Sequence, residues 1–308
     1  MTGAAMAWIS AEEVFARVSF GAAVNAVQRD LAAGLDPAHD FSRSILDVAH
    51  GHLLLMPTQS PQFVGVKVAT VTPANPALGK KRIQGVYLLM DAATLSPIAL
   101  IDGTALTTLR TPAVSAAAAD HLAPAQVAHL VVFGSGPQAW AHIEAMRTIR
   151  RIGRVTIVAR HQGRAAALAS RVQTSGLDAR VGTQDDVRDA QLIVCATTAR
   201  TPLFDGSLVP DDSCSVAVGS HEADARELDS TLVVRAQLVV EDIAVALREA
   251  GDLLIPLREG VIDPASLVPM RDIITDATPV DHGRPRVFKS SGMSWEDLVI
   301  AAEVYRAG

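Results

Sequence analysis

The sequence predicts an α/β protein that combines a doubly wound parallel sheet with a second, smaller α+β domain. A glycine-rich turn near the middle of the chain separates an apolar run from a helical pattern. Strand-like and helical segments alternate over residues 111–284, which is typical of a parallel sheet. Before residue 111, short strand-like runs are separated only by turn residues, which favours antiparallel pairing.

The smaller domain is predicted to begin with helices. Residues 8–35 show amphipathic helical spacing after Ser10, and Glu13 completes a capping box three residues later. Strand-like runs follow at 53–56, 63–72, 85–91 and 98–102, with turns at 73–76 and 102–103.

The parallel-sheet region is predicted to open with an alanine-rich helix over 111–122. Pro112 suits the first turn of that helix, and Thr111 is placed to cap it and to meet a phosphate. Strand-like segments then recur around residues 131, 155 and 181 and at 192–196, 215–218 and 238–240. After Pro285 a strand-like run at 287–289 precedes a helix that begins at Ser294.

Composition excludes several classes of partner. The 308 residues carry a net charge of −6 and no basic cluster, so neither nucleic acid nor an anionic membrane surface is expected. We find no secretory signal and no apolar run long enough to span a membrane, so a cytoplasmic protein is expected. Cys195 and Cys214 resemble small buried residues, and no histidine or cysteine spacing indicates a metal site.

Residues 131–139 carry the most specific motif. Gly134 permits a tight turn out of a strand, Gly136 lets the backbone approach a pyrophosphate, and Ala139 lets the next helix pack closely. An ordinary strand-to-helix turn is the alternative. The flanking strand at 128–133, the helix at 138–150 and a second strand at 154–159 favour a dinucleotide site.

The end of that second strand indicates the cofactor. Proteins that bind NAD usually place Asp or Glu there for the ribose hydroxyl, whereas this strand runs through Ala159 into Arg160 and Arg164. Guanidinium groups can pair with a 2′-phosphate. A solvated loop with two arginines is the alternative, but NADP(H) is favoured, with NAD(H) possible.

Three basic residues are candidates for binding a substrate. Lys67 interrupts an apolar strand and shares one face with Gly65 and Ala69, so either a carboxylate partner or an exposed edge position would explain it. Arg110 precedes the alanine-rich helix, and Arg43 is a weaker candidate because a lone arginine is more often on the surface.

Several segments together resemble the ornithine cyclodeaminase/mu-crystallin family. They are residues 65–69, 73–76, 102–103, 107–111, 132–139, 195–198, 218–227 and 288–292. The resemblance extends in order from about residue 43 to the C-terminus. It is specific for the family but not for the reaction, since cyclodeaminases, alanine dehydrogenases, ketimine reductases and opine-type synthases are all members.

The resemblance implies roles for individual residues. Arg43, Lys67 and Arg110 would hold the carboxylate of a small imino or amino acid, and these cationic groups also suit that chemistry. The implied cofactor contacts are Thr111, Gly134, Ser135, Gly136, Pro137 and Gln138 at the phosphates, and Ala196, Thr197 and Val218 beside the nicotinamide. It also implies a homodimer, with residues 1–110 and 285–308 forming a substrate and dimerisation domain and 111–284 the nucleotide domain.

Two departures from the family pattern bear on the reaction. Cyclodeaminases carry an aspartate where this chain has His221, and an acidic residue in the strand where it has 53–55, Leu-Leu-Leu. A register slip that lets Glu222 or Asp224 replace the aspartate is the alternative. Histidine can exchange a proton with an imine near neutral pH, so His221 joins Lys67 and Arg110 as a predicted catalytic residue.

The favoured function is therefore reduction of a small cyclic imino acid, of the pyrroline-2-carboxylate type, by NADPH. Ornithine cyclodeamination with catalytic NAD is the alternative enzyme activity. A mu-crystallin-like binding protein, in which turnover is incidental, is the alternative outside enzymes.

Overall fold

The computed structural model describes residues 6–308, which fall into two compact units. The first comprises the described residues up to Thr111 together with Met293–Gly308, and the second comprises Pro112–Gly292. Each unit contains its own sheet. No helix in residues 6–308 is long and apolar enough to cross a membrane.

The first unit is built on a six-stranded sheet. Its elements before the unit boundary are β1 Ala7–Ile9, α1 Ala11–Arg17, α2 Phe20–Ala32, β2 Ser44–Val48, β3 Gly51–Gln59, β4 Phe63–Val71, β5 Ile83–Asp91 and β6 Pro97–Asp102. The strand order is β1-β6-β5-β4-β3-β2, with β1 parallel to β6 and the other neighbours antiparallel. The Ser10 side chain and Glu13 form the capping box expected at the start of α1.

The sequence pattern did not reveal β1 and β2. β1 has only three residues, which is too short for an alternation to be read. Every residue of β2 is exposed, and this edge strand pairs with β3 alone. It therefore lacks the half-buried pattern by which strands are recognised.

Helix α3, Gly103–Leu122, is longer than predicted. It begins directly after β6, where the Asp102 side chain accepts a hydrogen bond from the Ala105 N–H at 2.8 Å. Thr111 and Pro112 lie inside this helix. The predicted cap at Thr111 is therefore wrong, because the acceptor that serves the N-terminus is Asp102.

The second unit is built on a parallel sheet of eight strands. Its elements are β7 Val127–Phe133, α4 Pro137–Ile149, β8 Ile152–Val158, α5 Gln162–Thr174, β9 Asp178–Val181, β10 Leu192–Cys195, β11 Cys214–Ala217, α6 Ser230–Arg235, β12 Gln237–Val240, α7 Ile243–Glu249, α8 Gly251–Arg258, β13 Leu267–Pro269, α9 Met270–Ile274 and β14 Arg286–Lys289. The strand order β13-β12-β14-β11-β10-β7-β8-β9 reverses direction at β7. This is a doubly wound sheet, and its switch point lies between β7 and β10, where such folds bind ligands.

The last strand and the last helix belong to different units. β14 lies between β11 and β12 in the parallel sheet, so assigning the whole of 285–308 to the smaller domain is wrong for this strand. Its four residues are all buried, which matches a central strand covered on both faces. Helix α10, Ser294–Arg306, belongs to the first unit and packs on β3, β4, β5 and α2.

Candidate active site

Lys67 lies at the centre of the first unit's sheet. It is opposite Met56 of β3 and Tyr87 of β5, so it is not on an edge strand. Gly65, Lys67 and Ala69 are buried, whereas the valines between them are only half-buried. The face that carries the charge is therefore the more buried face of β4, and α10 packs on it.

The position of Tyr87 explains why residue 65, which shares a face of β4 with Lys67, is a glycine. A Cβ atom at Gly65 would lie 2.0 Å from the Tyr87 hydroxyl, so only glycine leaves room for this ring. The tyrosine is fully buried, and burial together with the nearby Asp297 and Asp40 carboxylates raises its pKa well above the usual value. Tyr87 therefore contributes an uncharged side chain beside Lys67.

Asp297 supplies the carboxylate that a buried Lys67 requires. The Lys67 Nζ donates to the two carboxylate oxygens of Asp297 at 2.9 and 2.7 Å and to the Thr107 Oγ1 at 3.2 Å. Burial and the nearby Arg110 charge lower the pKa of Lys67 to about 8, against the opposing effect of Asp297 and Glu296. The ammonium group therefore titrates close to neutral pH.

Arg110 lies beside Lys67 and pairs with the neighbouring carboxylate of α10. Its Nη1 donates to Glu296 Oε2, and its Nε lies 3.4 Å from Asp297 Oδ1. All three side chains are buried: that of Arg110 is 7% exposed, and those of Glu296 and Asp297 are 0% exposed. Two cations and two carboxylates thus form one buried cluster within the first unit.

The segment before β2 runs beside the start of α10. The Asp40 Oδ2 accepts a hydrogen bond from the Trp295 N–H at 2.8 Å. Burial raises the pKa of Asp40, and its hydrogen bonds oppose that change. Arg43 follows three residues later and is half-buried, so its role in holding a substrate stays a prediction.

The glycine turn lies in the second unit, at the carboxyl end of β7. Gly134 has a φ of +117°, and a Cβ there would lie 2.5 Å from the carbonyl oxygen of Ala196. Its N–H donates to Val158 O at 2.9 Å. The ends of β7, β8 and β10 therefore meet at Gly134, and the chain itself requires glycine at this position.

Gly136 has no such internal requirement. A Cβ at this position would meet no atom within 4 Å, and its φ of −91° suits any residue. Gly136 is the N-cap residue of α4 and offers no side chain to the first N–H groups of the helix, which follows at Pro137. An open, uncapped helix start beside a glycine turn fits a pyrophosphate.

The loops after β10 and β11 are joined by Glu227. One carboxylate oxygen accepts hydrogen bonds from the Thr197 N–H at 2.8 Å and the Thr197 hydroxyl at 2.6 Å, and the other accepts the Gly219 N–H at 2.7 Å. Thr197, a predicted cofactor contact, is thereby linked to Gly219, which follows Val218, another predicted contact. Sequence reasoning missed Glu227 because its partners lie on two different loops.

Two further buried charges support Glu227. Asp252 Oδ1 accepts the Glu227 N–H at 2.6 Å, and Asp252 Oδ2 lies 3.2 Å from the Lys289 Nζ. Lys289 also donates to Ser220 O at 2.6 Å. Burial and the Asp252 charge raise the pKa of Glu227, which Lys289 opposes. This cluster fixes the loops at the carboxyl ends of the parallel strands.

The other predicted nucleotide contacts lie on the surface of the second unit or within α3. Arg160 and Arg164 are exposed around the start of α5, just after β8 and Ala159. Ser135 and Gln138 flank Gly136 and are half-buried. Thr111 lies within α3, so its backbone belongs to the helix and only its side chain could reach a phosphate.

His221 is exposed on the loop that follows β11. The preceding Ser220 is buried and its hydroxyl donates to Ala225 O at 2.7 Å, which fixes the backbone next to His221. Glu222 and Asp224, the alternative acidic residues, both pair with Arg200 on the surface. Across residues 6–308, no group of three or more His, Cys, Asp or Glu side chains is placed to hold a metal ion.

Known proteins resemble the chain over nearly its whole length. The family model described as "Ornithine cyclodeaminase/mu-crystallin family" matches residues 6–307. A Bacillus cereus protein named Delta(1)-pyrroline-2-carboxylate reductase is 35% identical over 261 residues, which cover 82% of this chain and 80% of the relative.

Two solved structures share the fold closely. The Thermococcus litoralis Delta(1)-pyrroline-2-carboxylate reductase, in complex with NADH and L-proline, has a TM-score of 0.92 at 27% identity and covers 98% of this chain and 97% of its own. An archaeal alanine dehydrogenase dimer with bound NAD also has a TM-score of 0.92, at 25% identity, with coverage of 98% and 95%.

Proposed function

The chain belongs to the ornithine cyclodeaminase/mu-crystallin family, and we propose that it reduces a cyclic imino acid of the pyrroline-2-carboxylate type with NADPH. It is an NAD(P)-dependent enzyme of imino or amino acid chemistry, and its relatives include reductases of this substrate. The cofactor is a nicotinamide dinucleotide, and the preference for NADPH is part of the proposal.

The apolar residues that β3 contributes to the face of the charged cluster carry the choice of reaction. Leu54 is opposite Ala69 and Met56 is opposite Lys67, so both leucine and methionine share the face of the charged cluster. A diamino acid would need a further carboxylate for its second amine, because Asp297 and Glu296 already pair with Lys67 and Arg110 and a buried unpaired ammonium group is costly. A small apolar ring with one carboxylate suits this face better.

Each predicted residue then has a defined task. Lys67 and Arg110 bind the substrate carboxylate, Arg43 assists them, and His221 exchanges the proton of the imine nitrogen. The turn Gly134–Gln138 and the side chain of Thr111 hold the phosphates, while Ala196, Thr197 and Val218 line the nicotinamide side. When bound, the dinucleotide supplies the hydride.

The decisive assay compares two reactions on one purified protein. We expect pyrroline-2-carboxylate to drive oxidation of NADPH, and ornithine with NAD to release no ammonia at a comparable kcat/KM. Ammonia release at the higher kcat/KM would replace reduction by cyclodeamination. Tight binding of NADPH without either reaction would favour the binding-protein alternative.

The preference for NADPH is proposed to depend on Arg160. Arg160→Ala should weaken NADPH binding by roughly tenfold and leave NADH binding unchanged. The roughly tenfold loss is at the lower end for a charge-assisted hydrogen bond because Arg160 is exposed. Arg151→Ala is the matched control, since this exposed arginine precedes β8 whereas Arg160 follows it. Equal losses for both cofactors would contradict the assignment.

The face of the first unit's sheet opposite the one that carries Lys67 supports the proposal of a homodimer. One row of residues crosses it from β1 to β3 and is apolar throughout: Trp8, Leu100, Leu88, Val66 and Pro57. Trp8 is 54% exposed. An apolar row of this kind favours a protein interface, and a second copy presents the same surface.

A charge on this face should separate the subunits. We expect Leu88→Lys to convert a dimer into a monomer, measured as mass by light scattering, since an unpaired ammonium group would be buried in the interface. Leu78→Lys is the control, because Leu78 is 70% exposed and follows β4 outside the row. An unchanged mass for Leu88→Lys would place the interface elsewhere.

A further inference from the structure

The first turn of α10 brings two carboxylates to the two candidate substrate cations. Asp297 faces Lys67 through both oxygens, and Glu296 faces Arg110. The two residues adjoin in the sequence, yet Asp297 is 230 positions from Lys67 and Glu296 is 186 from Arg110. One helical turn therefore serves both cations.

Both carboxylates are themselves held in place. The second oxygen of Glu296 accepts the Met293 N–H at 2.8 Å, which closes a capping arrangement at the start of α10. The Trp295 N–H donates to Asp40. The first turn of the helix is thus fixed from two sides, and so is the direction from which Asp297 approaches Lys67.

The ammonium group is fixed from its other side by Thr107. The Thr107 hydroxyl donates to Gly103 O at 2.8 Å and so presents a lone pair to Lys67 Nζ, 3.2 Å away. Lys67 is 4% exposed. A buried ammonium group held by three oxygens has little freedom of direction.

The charged groups around Lys67 have opposite effects on its protonation. Its side chain is surrounded by groups from α3, α10, β3 and β5: Thr107, Arg110, Glu296, Asp297, Met56 and Tyr87. Burial and Arg110 favour the neutral amine, whereas Asp297 and Glu296 favour the ammonium form. Of the two carboxylates, only Asp297 contacts Lys67.

We propose that Asp297 is a positioning residue that keeps Lys67 protonated and directed, so that Lys67 can bind the substrate carboxylate. Glu296 orients Arg110 in the same way. The inference rests on the proposed function, because it gives the paired lysine a substrate. Asp297 acts through Lys67 and need not touch the substrate.

The pH dependence of kcat/KM separates positioning from simple packing. The active form carries protonated Lys67, so kcat/KM in the unaltered enzyme should fall as pH rises through about 8. This fall at high pH is the upper limb of the profile. In Asp297→Asn the lysine loses the charge that raises its pKa, so the upper limb should shift to lower pH by about 1–3 units. The substrate's own ionisation is common to all variants and cancels in the comparison.

Three further variants complete the test. Glu296→Gln should raise KM and leave the limb near its original pH, because arginine stays charged throughout. Asp297→Glu should lower kcat but keep the limb, since the charge remains and only its position changes. Glu303→Gln, in the last turns of the same helix and paired with Arg29, should match the unaltered enzyme.

Direct titration of Lys67 tests the inference without turnover. The chain has four lysines, Lys67, Lys80, Lys81 and Lys289, so NMR of ε-¹³C-lysine resolves few signals, and Lys67→Met identifies one of them. A lower pKa for Lys67 in Asp297→Asn supports the proposal even if the protein reduces no imine. An unchanged pKa or an unchanged limb in Asp297→Asn overturns it. If Asp297→Asn does not fold, a limb that shifts in Asp297→Glu overturns it.

Discussion

Replacing Lys67 with methionine should lower kcat/KM for pyrroline-2-carboxylate by about 10²–10³-fold, the usual effect of removing one preorganised charged donor. Methionine keeps most of the length and the apolar character of the lysine stem but offers the substrate carboxylate no charge. NADPH binding, measured by fluorescence titration, should change little, because the glycine turn belongs to the other unit. Steady-state kinetics with the imino acid measure the loss.

Stability must be separated from binding, because Lys67→Met removes the cation that contacts the buried Asp297 most closely and leaves the Arg110 Nε 3.4 Å away. Breaking a buried ion pair on one side costs about 3–5 kcal/mol, whereas replacing both partners by uncharged groups is often neutral. The double variant Lys67→Met/Asp297→Asn should therefore recover the free energy of unfolding and stay inactive. Activity in the double variant would show that Lys67 serves the fold and not the substrate.

Placing a side chain at Gly136 should weaken the cofactor selectively. Gly136→Ala meets no atom of the chain within 4 Å, so the melting temperature without cofactor should stay that of the unaltered protein. A methyl group where a pyrophosphate approaches should cost about 1–3 kcal/mol of binding free energy, or roughly fivefold to 150-fold in Kd. Calorimetric titration with NADPH measures it.

Gly134→Ala is the matched comparison two residues earlier. Its φ of +117° and the Ala196 carbonyl 2.5 Å from the added Cβ should strain the folded chain itself. We therefore expect a lower melting temperature already in the protein without cofactor. If Gly136→Ala were the variant that unfolds early, or if it bound NADPH normally, the phosphate site would not lie at this turn.

Much of the fold could be predicted because its signals are local. The capping box at Ser10 involves residues three apart, and the alternation in β4 places Lys67 on a defined face. The glycine turn and its flanking strands likewise lie within one βαβ unit. Such patterns depend on backbone geometry over a few residues, so the order of amino acids suffices to reveal them.

The prediction failed where a local pattern had two explanations. Pro112 suits the first turn of a helix, but α3 starts nine residues earlier and tolerates the proline inside. The strand-like run at 287–289 could join either sheet, and only the pairing of β14 with β11 and β12 assigns it to the parallel one. Neither outcome is encoded by the neighbours of these residues.

The sequence by itself determined the two-domain α/β architecture, the family and the residue types available for binding a carboxylate and a dinucleotide. Only the tertiary structure decided which charges neutralise one another. Glu296 and Asp297 are already accounted for locally as acidic residues in the first turn of a helix, where they complement the helix dipole. Nothing in the sequence therefore pairs Asp297 with a lysine 230 positions away. Electrostatic pairing acts through space, and the chain's path brings these buried groups within 3 Å of each other, where their attraction is stronger than in water.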